Sequence, residues 1–118
     1  MAAPTEIITM TSLSGFTNYE GESLDATYEV IHTSGANTTS QDEVWLWACN
    51  THATDNQTVT VGVGTGGSPT AAFEYDIPAK VGLYLICPGW TFQNSKILYG
   101  KSESADTIVC FGYVNRIT

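Results

Sequence analysis

Few residues in this chain could do chemistry, and most of them lack the companions that chemistry requires. The histidines are His32 and His52. Cys49-Asn50-Thr51-His52 has a spacing that metals use, but a structural zinc takes four ligands, usually from two such pairs, and no second pair follows. Nucleophilic catalysis needs a nucleophile, a base and an orienting acid. Ser, His and Asp are all present, yet no Gly-x-Ser-x-Gly elbow exposes a serine. The run Gly62-Val63-Gly64-Thr65-Gly66-Gly67 has the glycines of a phosphate loop. A phosphate loop needs a helix behind it, whereas Ser68-Pro69-Thr70 and a strand-like stretch follow here, so a hairpin loop is expected. Glu74 and Asp76 alternate with Phe73 and Tyr75, which marks a solvated strand face rather than a carboxylate pair for glycoside hydrolysis. Asn37-Thr38-Thr39 and Asn56-Gln57-Thr58 match the glycosylation sequon. The reading is therefore not an enzyme, with no catalytic residue, no metal and no cofactor.

Cys49, Cys87 and Cys110 lie in apolar, strand-like runs. They are expected to be buried, reduced and inert, the alternative being one disulfide and an orphan. The first residues, Met1-Ala2-Ala3-Pro4-Thr5-Glu6, show neither a basic n-region nor an apolar core, so they do not read as a signal peptide, and a cytosolic origin is expected. No apolar stretch approaches the roughly 18–20 residues of a membrane helix. Net charge is −8, and no Lys or Arg precedes Lys80. Such a surface repels phosphate backbones, which argues against nucleic acid as a partner. It suits docking onto a surface with a basic patch.

The elements that must position these residues are strands. Apolar residues at helical spacing are not sustained anywhere, whereas Thr and 11 glycines suit strands and turns. The spacing predicts strands over about 26–33, 43–50, 57–63, 71–77, 82–87, 95–101 and 107–115, with Gly, Pro, Asn and Asp turns between them. Pro88-Gly89 reads as a tight turn that ends a strand at Cys87, with Trp90 and Phe92 closing one end. The expected fold is all-β: a single antiparallel β-sandwich, jelly-roll-like, with an extended N-terminal segment. Residues 26–118 form the sandwich. Residues 1–25 are either its first strand and a loop, or an arm that reaches a neighbouring protein through Ile7, Ile8, Leu13, Phe16 and Tyr19.

One strand stands out. Val44-Trp45-Leu46-Trp47-Ala48-Cys49 is apolar at every position, so both of its faces should be covered. Trp45, Trp47 and Cys49 share one face; Val44, Leu46 and Ala48 share the other. We expect Trp45 or Trp47 in the core and Val44 and Leu46 against the second sheet or another chain, with the reverse assignment open. Mid-strand tryptophans favour core or subunit interface over a sugar-stacking platform.

From Asp42 onward the sequence resembles small virion structural proteins of tailed bacteriophages. The resemblance rests on Asp42-Glu43-Val44-Trp45-Leu46-Trp47-Ala48-Cys49-Asn50-Thr51 and Thr58-Val59-Thr60-Val61. It continues in Ile77-Pro78-Ala79-Lys80-Val81-Gly82-Leu83-Tyr84-Leu85 with Pro88-Gly89, and closes with Gly112-Tyr113-Val114-Asn115-Arg116-Ile117. It implies a decoration, or cement, protein. Such a protein is a β-sandwich, commonly a homotrimer, that binds the major capsid protein on the outer surface of the head and stiffens the shell. Assembly would take place in the host cytoplasm. The resemblance offers no catalytic residues. A tail or tail-fibre component is the second reading, and a carbohydrate-binding module the third.

Overall fold

The structure, a computed structural model, describes residues 5–8 and 22–117. Among them are nine strands: β1 Thr5–Ile8, β2 Glu22–Ser23, β3 Glu29–Thr33, β4 Gln41–Asn50, β5 Gln57–Gly64, β6 Ala71–Ile77, β7 Tyr84–Phe92, β8 Ile97–Ser102 and β9 Ile108–Ile117. No helix among the described residues is long and apolar enough to cross a membrane. One sheet has the order β1-β9-β4-β7, with β2 also paired to β9; the other has the order β3-β8-β5-β6. All pairings are antiparallel. From β2 to β9 the chain changes sheet at every connection except the β5–β6 hairpin, which is the jelly-roll arrangement.

The two sheets bury one shared core. Val44, Leu46 and Ala48 of β4 meet Val59 and Val61 of β5, Leu98 of β8, and Ile108 and Val114 of β9 in that single layer. Period-two alternation is strict along β4, where every even-numbered residue from Asp42 to Asn50 is buried and every odd one is not. This inverts the expectation for the tryptophans. Trp45 and Trp47 lie on the outer face, half-buried, and Val44 and Leu46 fill the core. The volume between two sheets about 10 Å apart suits Val, Leu and Ala better than a row of indoles.

Strand β7 also departs from expectation, because it does not stop at Cys87 but runs through Pro88-Gly89 to Phe92. It can do so because it is an edge strand, where proline's missing N–H is no loss. Its pairing with β4 slips by one residue at Val44/Trp45 and again at Leu46/Trp47. Gly89 takes up the first slip with φ 74°, and a β-carbon there would sit 2.9 Å from Trp45 Cζ2. The Phe92 side chain lies in the core rather than capping an end.

At the N-terminus, Ile7 pairs with Asn115 and Ile8 with Val114, so Thr5–Ile8 is a strand of this sandwich. Leu24 is buried in the same core. Leu13, Phe16 and Tyr19 lie outside the described residues.

Candidate interaction face

The outer face of the first sheet is the candidate site. It is built by register alone: Trp45 stands opposite Tyr113, Trp47 opposite Phe111, and Cys49 opposite Val109. Opposed residues of an antiparallel pair point to the same side. On the other flank of β4, Trp47 stands opposite Leu85 and Trp45 opposite Pro88. The rings form a continuous row. Trp45 and Trp47 stack with centroids 6.3 Å apart, and Trp47 meets Tyr113 at 6.0 Å. All of these side chains keep part of their surface in solvent.

Polarity enters only at one end. The Trp45 indole N–H donates to Glu43 Oε1 at 2.7 Å, and Asn115 Nδ2 donates to the same oxygen at 3.1 Å. These two donors hold the Glu43 carboxyl below its ordinary range, so it stays ionised. Glu43 is the sole charged residue among the outward positions of β4 and β9. The face can therefore present a broad apolar and aromatic area with an anionic, hydrogen-bonding rim.

Beneath one end of this face sits a buried ionic clasp. Asp42 and His32 are both fully interior. His32 Nε2 lies 2.7 Å from Asp42 Oδ2, and Arg116 grips the same carboxylate with two bonds, Nε to Oδ1 at 2.7 Å and Nη2 to Oδ2 at 2.8 Å. Register puts Arg116 directly opposite Asp42, and His32 reaches across from the other sheet. Burial presses the His32 pKa down, and the hydrogen bond to Asp42 does not fully offset it. Burial also pushes Asp42 upward, but the bonds from Arg116 and His32 outweigh that and hold it ionised. The clasp ties three strands of two sheets together.

The other residues raised by sequence have structural duties. His52 Nδ1 accepts the backbone N–H groups of Thr54 and Asp55, which closes a loop. Asn37 Oδ1 accepts from both the backbone and the hydroxyl groups of Thr39 and Ser40. The glycine run ends β5 in a hairpin, where Gly67 N–H donates to the Tyr99 hydroxyl at 2.8 Å. All three cysteines are free thiols. Burial pushes Cys87 and Cys110 far up, which suppresses their thiolates; partial burial also raises Cys49, which keeps some exposure on the outer face. Among the described residues no cluster of three or more His, Cys, Asp and Glu could hold a metal ion.

Sequence reasoning did not single out Phe111, Tyr113, Val109 or Leu85. The signal was present in Val109-Cys110-Phe111-Gly112-Tyr113-Val114, which lacks polar alternation as β4 does. Arg116 and Asp42, 74 residues apart, carried no local signal of their pairing. Compared with protein-family models, curated proteins and solved structures, the chain matches none of them.

Proposed function

We propose that this protein is a structural decoration protein of a phage head, and that the aromatic face of its first sheet docks on the major capsid protein. The observation that carries this reading is the outer face of β4 and β9. Among the described residues no third layer covers Trp45, Trp47, Phe111 and Tyr113, which are partly exposed, and an apolar patch of that kind marks an interaction site. Aromatic anchors at such a centre supply most of the binding energy of an interface. The net charge of −8 adds attraction toward a basic rim on the partner. A homotrimer on the shell would multiply a modest contact through avidity.

The test is binding to heads that lack the protein. Purified chain should attach to them and raise their resistance to heat, and Trp47→Asp should weaken attachment at least tenfold without unfolding the sandwich. Heads indifferent to the protein, with tails defective in its absence, would move the reading to a tail component. A monomer that binds glycans and loses them on Trp90→Ala would replace it with a sugar-binding module.

A further inference from the structure

The outer face of the second sheet carries a polar groove of about 570 Å³. Register builds it. Thr60 of β5 stands opposite Glu74 on β6 and opposite Lys101 on β8, so one row of outward side chains crosses the strands. Tyr28, just before β3, ends the row, with the Lys101 ammonium 4.8 Å from its ring centre. At the usual spacing of neighbouring strands the row is about 14 Å long. Thr58, one outward position along β5, lines the groove with Glu103. The glycine run closes one end. Gly62 has no side chain, so the β5–β6 hairpin folds back over it: a β-carbon there would sit 2.7 Å from Pro69 Cβ, and the Gly67 N–H reaches the Tyr99 hydroxyl.

Two observations point to a ligand rather than a solvated strand face. Thr60 is only 7 % exposed although it faces outward, and its hydroxyl has no hydrogen-bond partner among the described residues. Glu74 and Lys101 flank that hydroxyl without pairing with each other; the ammonium goes to Tyr28 instead. The row thus sets side by side a carboxylate that only accepts, a hydroxyl that donates and accepts, and an ammonium that only donates. A second carboxylate, Glu103, is fixed by the Thr58 backbone N–H, which donates to its Oε1 at 3.0 Å.

This lining selects its ligand. Glu74 and Glu103 outnumber Lys101, and on a chain of net charge −8 they repel phosphate, sulfate and other anions. A cation would meet the Lys101 ammonium within the row. A peptide needs apolar anchors, and here it would find the Tyr28 ring and two alanines. A neutral ligand dense in hydroxyl groups, each both donor and acceptor, matches the row and its length.

We propose that this groove binds a neutral oligosaccharide, laid across β6, β5 and β8 with one ring seated on Thr60 between Glu74 and Lys101. Occupancy depends on neither head attachment nor oligomeric state. The outer faces of the two sheets point in opposite directions, so a chain docked through Trp45 and Trp47 would keep the groove open to solution.

The test is binding of the full chain to a panel of neutral and anionic oligosaccharides, followed by calorimetry with the neutral member bound best. At least one neutral oligosaccharide should bind at millimolar concentration or below. Thr60→Val keeps the shape of the side chain and removes the hydroxyl; it should weaken binding at least tenfold, whereas Thr60→Ser should stay within about threefold of native. Ala72→Trp, at an exposed position of edge strand β6, should abolish binding by filling the groove, a result that does not depend on a Thr60 variant folding. Trp47→Asp and Trp90→Ala should leave saccharide binding unchanged. Binding of no neutral oligosaccharide, of anionic ones alone, or of trilysine in their place would overturn the proposal. Equal affinities of the native chain and Thr60→Val would do the same, as would binding lost on Trp90→Ala and kept on Thr60→Val. A chain that binds the saccharide and ignores heads would instead overturn the decoration reading and leave the groove standing.

Discussion

The two outer faces of the sandwich share an architecture and differ in chemistry. Around β5, Thr58 and Thr60 point outward between Glu74 on one flank and Lys101 on the other, and with Tyr28 and Glu103 they line a polar groove of about 570 Å³. Around β4, the outward residues include two tryptophans, a phenylalanine, a tyrosine and a valine, with Glu43 and Asn115 at one end. Water satisfies the first face and not the second. The aromatic outer face leaves apolar surface in solvent, which supports the docking role proposed for it.

The largest effect should come from substituting across one strand. Leu46→Ala should cost about 2–5 kcal/mol in urea unfolding, since it empties part of a close-packed layer. Its neighbour Trp47→Ala should cost far less stability while abolishing attachment to heads. Equal losses of stability from the two would erase the distinction between inner and outer residues.

Next in size is the response to acid, which probes the clasp at the end of the aromatic face. Folding holds His32 below its ordinary 6.5, so the unfolded chain takes the proton first. The stability this residue contributes is present above that value and lost as pH falls below it. Asp42, held below its ordinary 3.8, adds a second loss in the same direction at lower pH. Melting temperature should therefore decline from about pH 6.5 downward, and His32→Gln should remove the upper part of the decline. A melting temperature that rises with acid would contradict this.

Thiol labelling gives a sharper view of the same contrast. Cys49 should react with a maleimide well before Cys87 and Cys110, and occupation of the aromatic face should slow it. The smallest effect belongs to the polar face. Lys101→Ala should cost no more than about 0.5–1 kcal/mol through loss of its contact with Tyr28, and should leave head attachment unchanged.

Much of the fold was legible because turn residues and strand residues separate cleanly along the chain. The limits expected for 71–77 coincide with β6, and those for 43–50 and 57–63 fall within two residues of β4 and β5. Pro88-Gly89 misled because a proline that ends a central strand is harmless on an edge, and edge position is a property of the whole sheet. The faces of β4 were illegible for a local reason. Asp42 shares the parity of Val44 and Leu46, and Glu43 that of Trp45 and Trp47, so each face carried one acid and neither was marked as outside. What decided it was Arg116, which makes a buried carboxylate tolerable from the far end of the chain.

The position of β9 has a consequence for how the molecule comes into being. It is the last described strand in sequence, yet it lies in the interior of its sheet, with β1 and β2 on one flank and β4 on the other. Until it has been synthesised, three earlier strands lack the neighbour that satisfies their backbone. The first sheet is thus closed only after the other strands exist, with a high loop-closure cost, and folding should fall in the slow, millisecond-to-second range of topologies built on distant pairings. A ribosome stalled before Ile108 would hold a chain with the second sheet's partners in hand and no sandwich to show for them.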